Sequence, residues 1–130
     1  MSITNRDIYK NALSLIGERV STQSASDYEE RAEYILPAFF SIARSTDKKL
    51  RALEGKKEQE PFNSVRAPLD DEFPLLDHFV SAAALYLASI LVVDEDQELS
   101  DSMYDKYCDS IASVAAWASC ESIAQRYFYD

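Results

Sequence analysis

The chain contains only two glycines, Gly17 and Gly55, and four prolines among its 130 residues. Each glycine follows a run of apolar residues at helical spacing, where a helix commonly ends on a residue with a left-handed backbone. A fold of many β-strands needs glycine and proline for its turns. Because both glycines are used to end helices, the sequence predicts an all-α protein. The length suits one domain over residues 1–130 with a core of its own.

The first predicted helix carries signals at both of its ends. Thr4 can accept a hydrogen bond from the backbone N–H of Asp7, and the Asp7 side chain can answer in a box-like arrangement. Gly17 stands where a C-terminal cap is needed. The apolar residues between them share one helical face: Ile8, Ala12, Leu15 and Ile16. This segment is therefore predicted to be a short amphipathic helix that docks on the rest of the protein.

A longer second helix is predicted after a polar connector at residues 21–25. Ser26, with Glu29 three residues later, repeats the capping signature, and Gly55 marks the other end. Pro37 lies inside the pattern, where it removes a backbone donor and crowds the carbonyl four residues earlier. We therefore expect a kink or a break near it. The apolar stripe of this helix comprises Ala32, Ile35, Leu36, Phe39, Ala43, Leu50 and Leu53.

The segment at residues 56–73 is polar and carries Pro61 and Pro68. We expect it to form a long connection, with a short strand or turn at residues 62–65. Connections of this length inside a compact domain are usually functional or mobile.

The third helix is predicted to begin at Pro74 or just after it and to end at about Val93, before an acidic turn at residues 94–96. It is apolar nearly all round, which is typical of a helix in the middle of a bundle. The residues expected at its centre are Phe79, Ala83, Leu87 and Ile90.

Ser100 is predicted to cap a fourth helix, with Asp101 in its first turn, where negative charge suits the helix dipole. The expected buried stripe of this helix comprises Met103, Tyr107, Ile111, Val114 and Ala118. The chain is therefore predicted to be an all-α, single-domain helical bundle of four to five helices with one long connection.

The formal net charge of −10 argues against general DNA or RNA binding and against an anionic membrane surface. The most apolar stretch, residues 79–93, is shorter than a bilayer span, and the polar N-terminus predicts no signal peptide. Cys108 and Cys120 lie about 18 Å apart if they share a helix, too far to pair. We expect them to be reduced and mostly buried, in a protein made in the cytoplasm.

Residues that would carry catalysis or hold a cofactor are scarce. His78 is the single histidine and has no metal-binding or catalytic motif around it, so a structural or half-exposed role is expected. Neither glycine belongs to a phosphate-binding loop. The acidic turn Asp94, Glu95, Asp96 and Glu98 does not follow the spacing of a Ca²⁺ loop. We therefore expect a protein that is not an enzyme and uses no cofactor or metal.

The charges are distributed unevenly along the chain. Residues 94–109 hold seven acids against one lysine, Lys106. The basic residues gather at the end of the second helix and after it: Arg44, Lys48, Lys49, Arg51, Lys56 and Lys57. Two readings stay open. These are either two solvated faces or complementary surfaces on neighbouring copies or partners.

Three stretches together resemble the small head–tail connector (adaptor) proteins of tailed bacteriophages and prophages. They are "IYKNALSLIGE", "AEYILPAFFSIARSTDKKL" and "PLDDEFPLLDHFVSAAALYLASILVVDEDQELSDSMYDKYCDSI". The positions that match the family pattern are Ala12, Leu13, Ile16 and Gly17; Pro37 and Ala38; Glu72 and Phe73; Ala82, Ala83 and Ala84; Asp94 and Asp96; Tyr104 and Tyr107. The chain departs from it after Arg51, where a tryptophan-containing segment is common, and its tail at residues 127–130 is short.

The resemblance implies a non-enzymatic protein of the virion neck, made in the host cytoplasm. Its copies would form a ring beneath the portal protein and present a surface to the tail-completion (stopper) proteins, with DNA only as cargo through the lumen. An acidic lumen would suit DNA that must slide without sticking. The rival hypothesis is a small acidic regulatory protein, such as a DNA mimic that occupies a basic groove.

The charge asymmetry suggests which residues would meet between copies. Contacts between a basic flank on one copy and an acidic turn and helix start on the next would form a head-to-tail ring. The candidate residues are Arg44, Lys48, Lys49 and Arg51 on the basic side, Phe62 and Val65 as apolar contacts, and Asp94, Asp96, Asp101 and Asp105 on the acidic side.

Overall fold

The computed structural model describes the backbone of residues 2–17 and 25–128 and the side chains of residues 2–17 and 27–120. Within these ranges the fold is an all-α bundle, as predicted, and a single antiparallel bridge between Thr4 and Glu72 is its only β pairing. The elements are α1 (Asn5–Ile16), α2 (Ala25–Leu53), a 3₁₀ turn (Asp77–Phe79), α3 (Val80–Leu91) and α4 (Gln97–Phe128).

The predicted ends of α1 are confirmed. The Thr4 hydroxyl accepts from the backbone N–H of Asp7, and the Asp7 carboxylate accepts from the backbone N–H of Thr4 at 2.9 Å. Gly17 closes the helix with a φ of 50° and donates its N–H to Leu13. The carboxylate of Asp7 has a lowered pKa because the amide and hydroxyl of Thr4 stabilise its charge.

The sequence predicted a kink or a break near Pro37, but α2 does not break there and continues as one helix. Pro37 cannot donate to the carbonyl of Glu33, which would be its partner in the helix. That carbonyl instead accepts from the N–H of Ala67 in the long connection at 2.7 Å. The lost intrahelical bond is therefore replaced by a tertiary one, and the helix continues to Leu53.

The predicted N-terminal cap at Ser26 is wrong, because α2 begins earlier and already includes Ala25 and Ser26. The connector at residues 21–25 falls outside the described residues except for Ala25. The two final residues of the short tail, 129 and 130, also lie outside them.

The starts of α3 and α4 differ from the predictions. Pro74 begins no helix, since the first helical residue is Asp77 in the 3₁₀ turn. The cap of α4 is Asp96, whose carboxylate accepts from the backbone N–H of Leu99 at 3.0 Å. Ser100, the predicted cap, lies inside the helix and donates its hydroxyl to the carbonyl of Ser89 at 2.7 Å, which joins α4 to α3.

Helix α3 is the central element, as its apolar sequence predicted, and contacts α1, α2 and α4. Phe79, Ala83 and Leu87 are fully buried, whereas Ile90 is only half-buried and lines a surface groove. The carbonyls of Ile90 and Leu91 at the end of α3 accept from the guanidinium of Arg31. The predicted stripe of α4 also faces inward: Met103, Tyr107 and Ala118 are buried, and Ile111 and Val114 are half-buried. The expected burial of Cys108 and Cys120 is wrong, because both are exposed on α4.

The long connection between α2 and α3 is confirmed, but residues 62–65 contain no strand and only a bend at Val65. Its second half is tied to the start of α1. The N–H groups of Asn5 and Arg6, which have no partner within the helix, donate to Asp71 at 2.9 Å and to Leu69 at 2.7 Å. The connection is therefore part of the folded core from Ala67 onward, where Ala67, Leu69 and Phe73 are buried.

Candidate functional site

The basic surface lies on the C-terminal half of α2, where Arg44, Lys48 and Lys49 are exposed. Lys48 forms an ion pair with Glu58 of the connection at 3.5 Å. Arg44 and Lys49 form no ion pair within the part of the chain that the structure describes. Two of the four predicted basic residues are thus free to meet another molecule.

Arg51 does not belong to that surface, which corrects the prediction. Its side chain is 15% exposed, and its Nε donates to the carboxylate of Asp47 at 2.8 Å. Its two terminal nitrogens donate to the carbonyls of Lys57 and Pro74. Asp47 is itself buried and also accepts from the N–H of Leu76 at 2.9 Å. Arg51 therefore anchors both ends of the long connection to α2.

Arg44 lines the depressions in this part of the surface. One depression beside it is lined by Ser41, Ser45 and Lys48, which share the helical face. A second depression is lined by Arg44 together with Phe40, Ser41, Pro61, Phe62 and Asn63. Arg44 therefore borders both the exposed face of α2 and the first half of the long connection.

Phe62 and Val65, the predicted apolar contacts, have different environments. Phe62 is half-buried and packs edge-on against Phe40, with ring centroids 5.1 Å apart. Phe62 therefore holds the first half of the connection to α2 and presents only part of its ring. Val65 is 80% exposed and touches solvent on most of its surface.

The acidic surface contains a groove of about 530 Å³ between the end of α3 and the first turns of α4. Ile90, Val93 and Tyr104 supply apolar walls, and Asp101 and Asp105 stand on its rim. The groove is completed by Ser89, Gln97 and Ser100. Such a mixture of apolar walls and a few charged groups is typical of a binding groove.

The two carboxylates on the rim lie one helical turn apart on α4. Asp101 accepts from the side-chain amide of Gln97 at 2.9 Å, and neither Asp101 nor Asp105 forms an ion pair among the described residues. Asp94 is also exposed, in the turn before α4. Asp96, unlike the other predicted acidic residues, uses its carboxylate to cap α4.

Tyr104 packs against a cluster of tilted and edge-on aromatic rings. Its centroid lies 5.5 Å from that of Tyr107, which in turn lies 5.1 Å from Tyr86 and 6.2 Å from Phe39. Burial raises the pKa of both Tyr86 and Tyr107, so these phenols stay neutral. The groove wall formed by Tyr104 is thus supported by the core.

His78 lies on the surface, where its ring contacts one residue just after α2 and another in α4. Its Nε2 is 3.2 Å from a carboxylate oxygen of Glu54, and its ring lies 4.8 Å from that of Trp117. Within the described residues no group of three or more His, Cys, Asp or Glu side chains could hold a metal ion. No helix in that part of the chain is long and apolar enough to cross a membrane.

The sequence reasoning missed the contacts of Glu33, which lies on the α2 face toward the connection. Its carboxylate accepts from two nitrogens of Arg66, at 3.0 and 3.3 Å, and from the N–H of Leu69 at 3.0 Å. These hydrogen bonds lower the pKa of Glu33. The one local signal was the position of Pro37, which leaves the Glu33 carbonyl without its helical partner.

Comparisons of the chain with models of protein families, with curated proteins and with solved structures find no match.

Proposed function

We propose that this chain is a non-enzymatic structural protein of a phage neck, a head–tail connector. Its copies associate head to tail into a ring that lies between the portal protein and the tail-completion proteins. The observation that supports the proposal most is the presence of two oppositely charged surfaces on one helical domain, the basic one around Arg44 on α2 and the acidic groove at α3 and α4.

A head-to-tail ring needs two different surfaces on each copy, because the patch that each copy offers is not the patch that it receives. The basic and acidic surfaces of this chain lie on different elements and differ in shape as well as in charge. Complementary charge sets the orientation and the rate of encounter. The sequence resemblance to connector proteins points to the same arrangement.

The net charge of −10 fits a conduit for DNA. Protein binds DNA mainly through cations that displace counterions from phosphates, and an excess of carboxylates opposes this. A ring whose exposed cations are engaged between copies leaves the acidic residues to face the lumen. DNA would then pass as cargo without being held.

The rival function, an acidic regulator that mimics DNA, requires a surface dominated by negative charge. The exposed cations Arg44, Lys48 and Lys49 on the C-terminal half of α2 count against it. A mimic would also bind a basic partner tightly without any portal protein, and this difference is measurable.

The proposal is tested in the virus or prophage that encodes the chain, by deleting its gene and supplying the protein in trans. We expect the deletion to yield DNA-filled heads that lack tails, and the wild-type protein to restore tailed particles. Purified protein should bind purified portal protein of the same genome, and electron microscopy should place it beneath the portal. Infectious tailed particles made without the chain would contradict the proposal.

A matched pair of variants separates surface charge from overall charge in the same assay. Replacing Arg44 by Glu should abolish assembly, whereas replacing Lys10, which is exposed on α1, by Glu changes the net charge by the same amount and should leave assembly unchanged. Full complementation by the R44E variant would show that the basic surface takes no part. In that case the interface must be sought elsewhere on the molecule.

A further inference from the structure

We propose that the acidic groove between α3 and α4 receives the side chain of Arg44 from a second copy of this chain. The inference rests on the self-association in the proposed function and names the two surfaces that meet. It differs from the prediction based on sequence, which gave equal weight to four basic residues and assigned the apolar contacts to Phe62 and Val65.

The rim of the groove has the chemistry that a guanidinium needs. Asp101 and Asp105 lie one turn apart on α4 and form no ion pair within the described part of the chain. Like charges at this spacing repel each other, and a cation placed between them removes the repulsion. The planar fork of an arginine can donate to two carboxylates at once.

The walls of the groove also fit an arginine side chain. The ring of Tyr104 is 50% exposed and is held from behind by Tyr107 at 5.5 Å. An aromatic face of this kind attracts a guanidinium that stacks on it. Ile90 and Val93 offer half-buried apolar surface against which the methylene groups of the arginine can pack.

Arg44 is the basic residue of the α2 surface that can supply this group. Lys48 is paired with Glu58, and Arg51 is held by the buried Asp47, whereas Arg44 is exposed and has no ion pair among the described residues. Lys49 is also unpaired but ends in a compact ammonium that cannot form a fork. Phe62, which lines a depression together with Arg44, would lie at the edge of the same contact.

The experiment mixes two variants, each of which lacks one side of the contact and therefore cannot associate with itself. The first variant, Arg44→Ala, keeps its groove and lacks the arginine. The second, Asp101→Asn together with Asp105→Asn, keeps Arg44 and lacks the charged rim. Each variant alone should sediment as a monomer, and an equimolar mixture at low salt should form a 1:1 dimer in which the second variant's arginine occupies the first variant's groove.

A conservative change distinguishes a fitted guanidinium from charge alone. When Arg44→Lys is added to the second variant, the dissociation constant of the mixed dimer should rise about tenfold, because the lysine cannot reach both carboxylates. Lys49→Ala in the same background is the matched control and should change the constant less than twofold. Circular dichroism of each variant verifies that it is folded.

Three results would overturn the inference. The first is a mixture that sediments as the sum of its separate variants at concentrations near 1 mM. The second is an Arg44→Lys change that leaves the dissociation constant unaltered. The third is binding of Arg44→Ala to the portal that equals the binding of the wild type, and this result would leave the proposed function standing. A mixed dimer formed by a chain that never binds the portal would instead support the inference and refute the proposed function.

Discussion

At the scale of single residues, stability depends most on side chains that the bundle encloses completely. Leu87 has no exposed surface and lies at the middle of α3, which contacts the other three helices. Replacing it by Ala should lower the free energy of unfolding by about 2–5 kcal/mol, through lost apolar burial and the cavity left behind. Urea denaturation measures the loss, and Val65→Ala, at an 80% exposed position, should change stability by less than about 0.5 kcal/mol.

The ionisation of Glu33 should make the free energy of unfolding depend on pH. Arg66 and the N–H of Leu69 lower the pKa of Glu33 in the folded protein. The stabilisation by Glu33 is therefore fully present at pH values above its ordinary pKa of 4.5, and it is lost as the pH falls through the lowered pKa of the folded protein. Glu33→Gln should therefore cost about 1 kcal/mol at pH 7 and less at pH 3, where the pH has passed below the ordinary pKa. Urea denaturation at the two pH values tests this.

The exposed Glu30, three residues earlier on the same helix, gives the control for that measurement. Glu30→Gln should produce no comparable difference between the two pH values. A Glu33→Gln penalty that is equal at pH 7 and pH 3 would mean that the carboxylate charge contributes nothing to the contact with Arg66.

At the scale of elements, α2 and the long connection stabilise each other through Pro37. A proline inside a helix ordinarily costs about 3 kcal/mol, so its replacement by Ala would be expected to stabilise. Here the freed carbonyl of Glu33 already accepts from Ala67 at 2.7 Å. Pro37→Ala should therefore gain far less than about 3 kcal/mol, because the restored N–H competes with a bond that already exists.

Hydrogen exchange separates this account from a simple effect of helix propensity. In Pro37→Ala the amide of Ala67 should exchange about tenfold faster than in the wild type, since it must share its acceptor. The amides of α1, which take no part in the contact, should be unaffected. Unchanged protection at Ala67 together with a gain of the full 3 kcal/mol would rule out the compensation.

At the scale of the whole molecule, the long connection consists of two halves with different roles. Residues 56–66 are exposed except for Phe62, whereas the part from Ala67 to Phe79 is fastened to α1 and α2 by backbone hydrogen bonds and buried side chains. Covalent continuity near Gln59 should thus matter little to the native structure. The second half of the chain is held by the bundle itself.

This division can be tested by inserting a protease recognition sequence after Gln59 and cutting the folded protein. We expect the two pieces to migrate together in gel filtration and to keep the helical circular dichroism of the intact chain. The same insertion after Leu69, a buried position, should instead lower stability. Separation of the pieces cut at Gln59 would show that the connection is needed to hold the helices together.

The features that the sequence predicted correctly are those that depend on residues close together in the chain. The capping box of Thr4 and Asp7, the end of α1 at Gly17 and the inward stripe through Met103 and Tyr107 all follow from neighbours three or four positions away. Helical spacing, the scarcity of glycine and proline, the apolar composition of α3 and the polar segment at residues 56–73 together predicted the all-α bundle, the central place of α3 and the long connection.

Apart from the helix caps, the contacts that the sequence did not predict depend on partners far away in the chain. Arg51 turns inward because the carbonyl of Pro74 accepts from it and because the N–H of Leu76 holds its neighbour Asp47 inside the bundle. Pro37 is accommodated because the carbonyl that it leaves free accepts from the N–H of Ala67. The groove of Asp101 and Tyr104 exists only once α3 and α4 are packed. Periodicity reports which face of a helix is apolar, but it does not report which distant group satisfies a freed carbonyl or a buried charge. Those pairings were decided by the tertiary structure, where burial forces each polar group to find a partner.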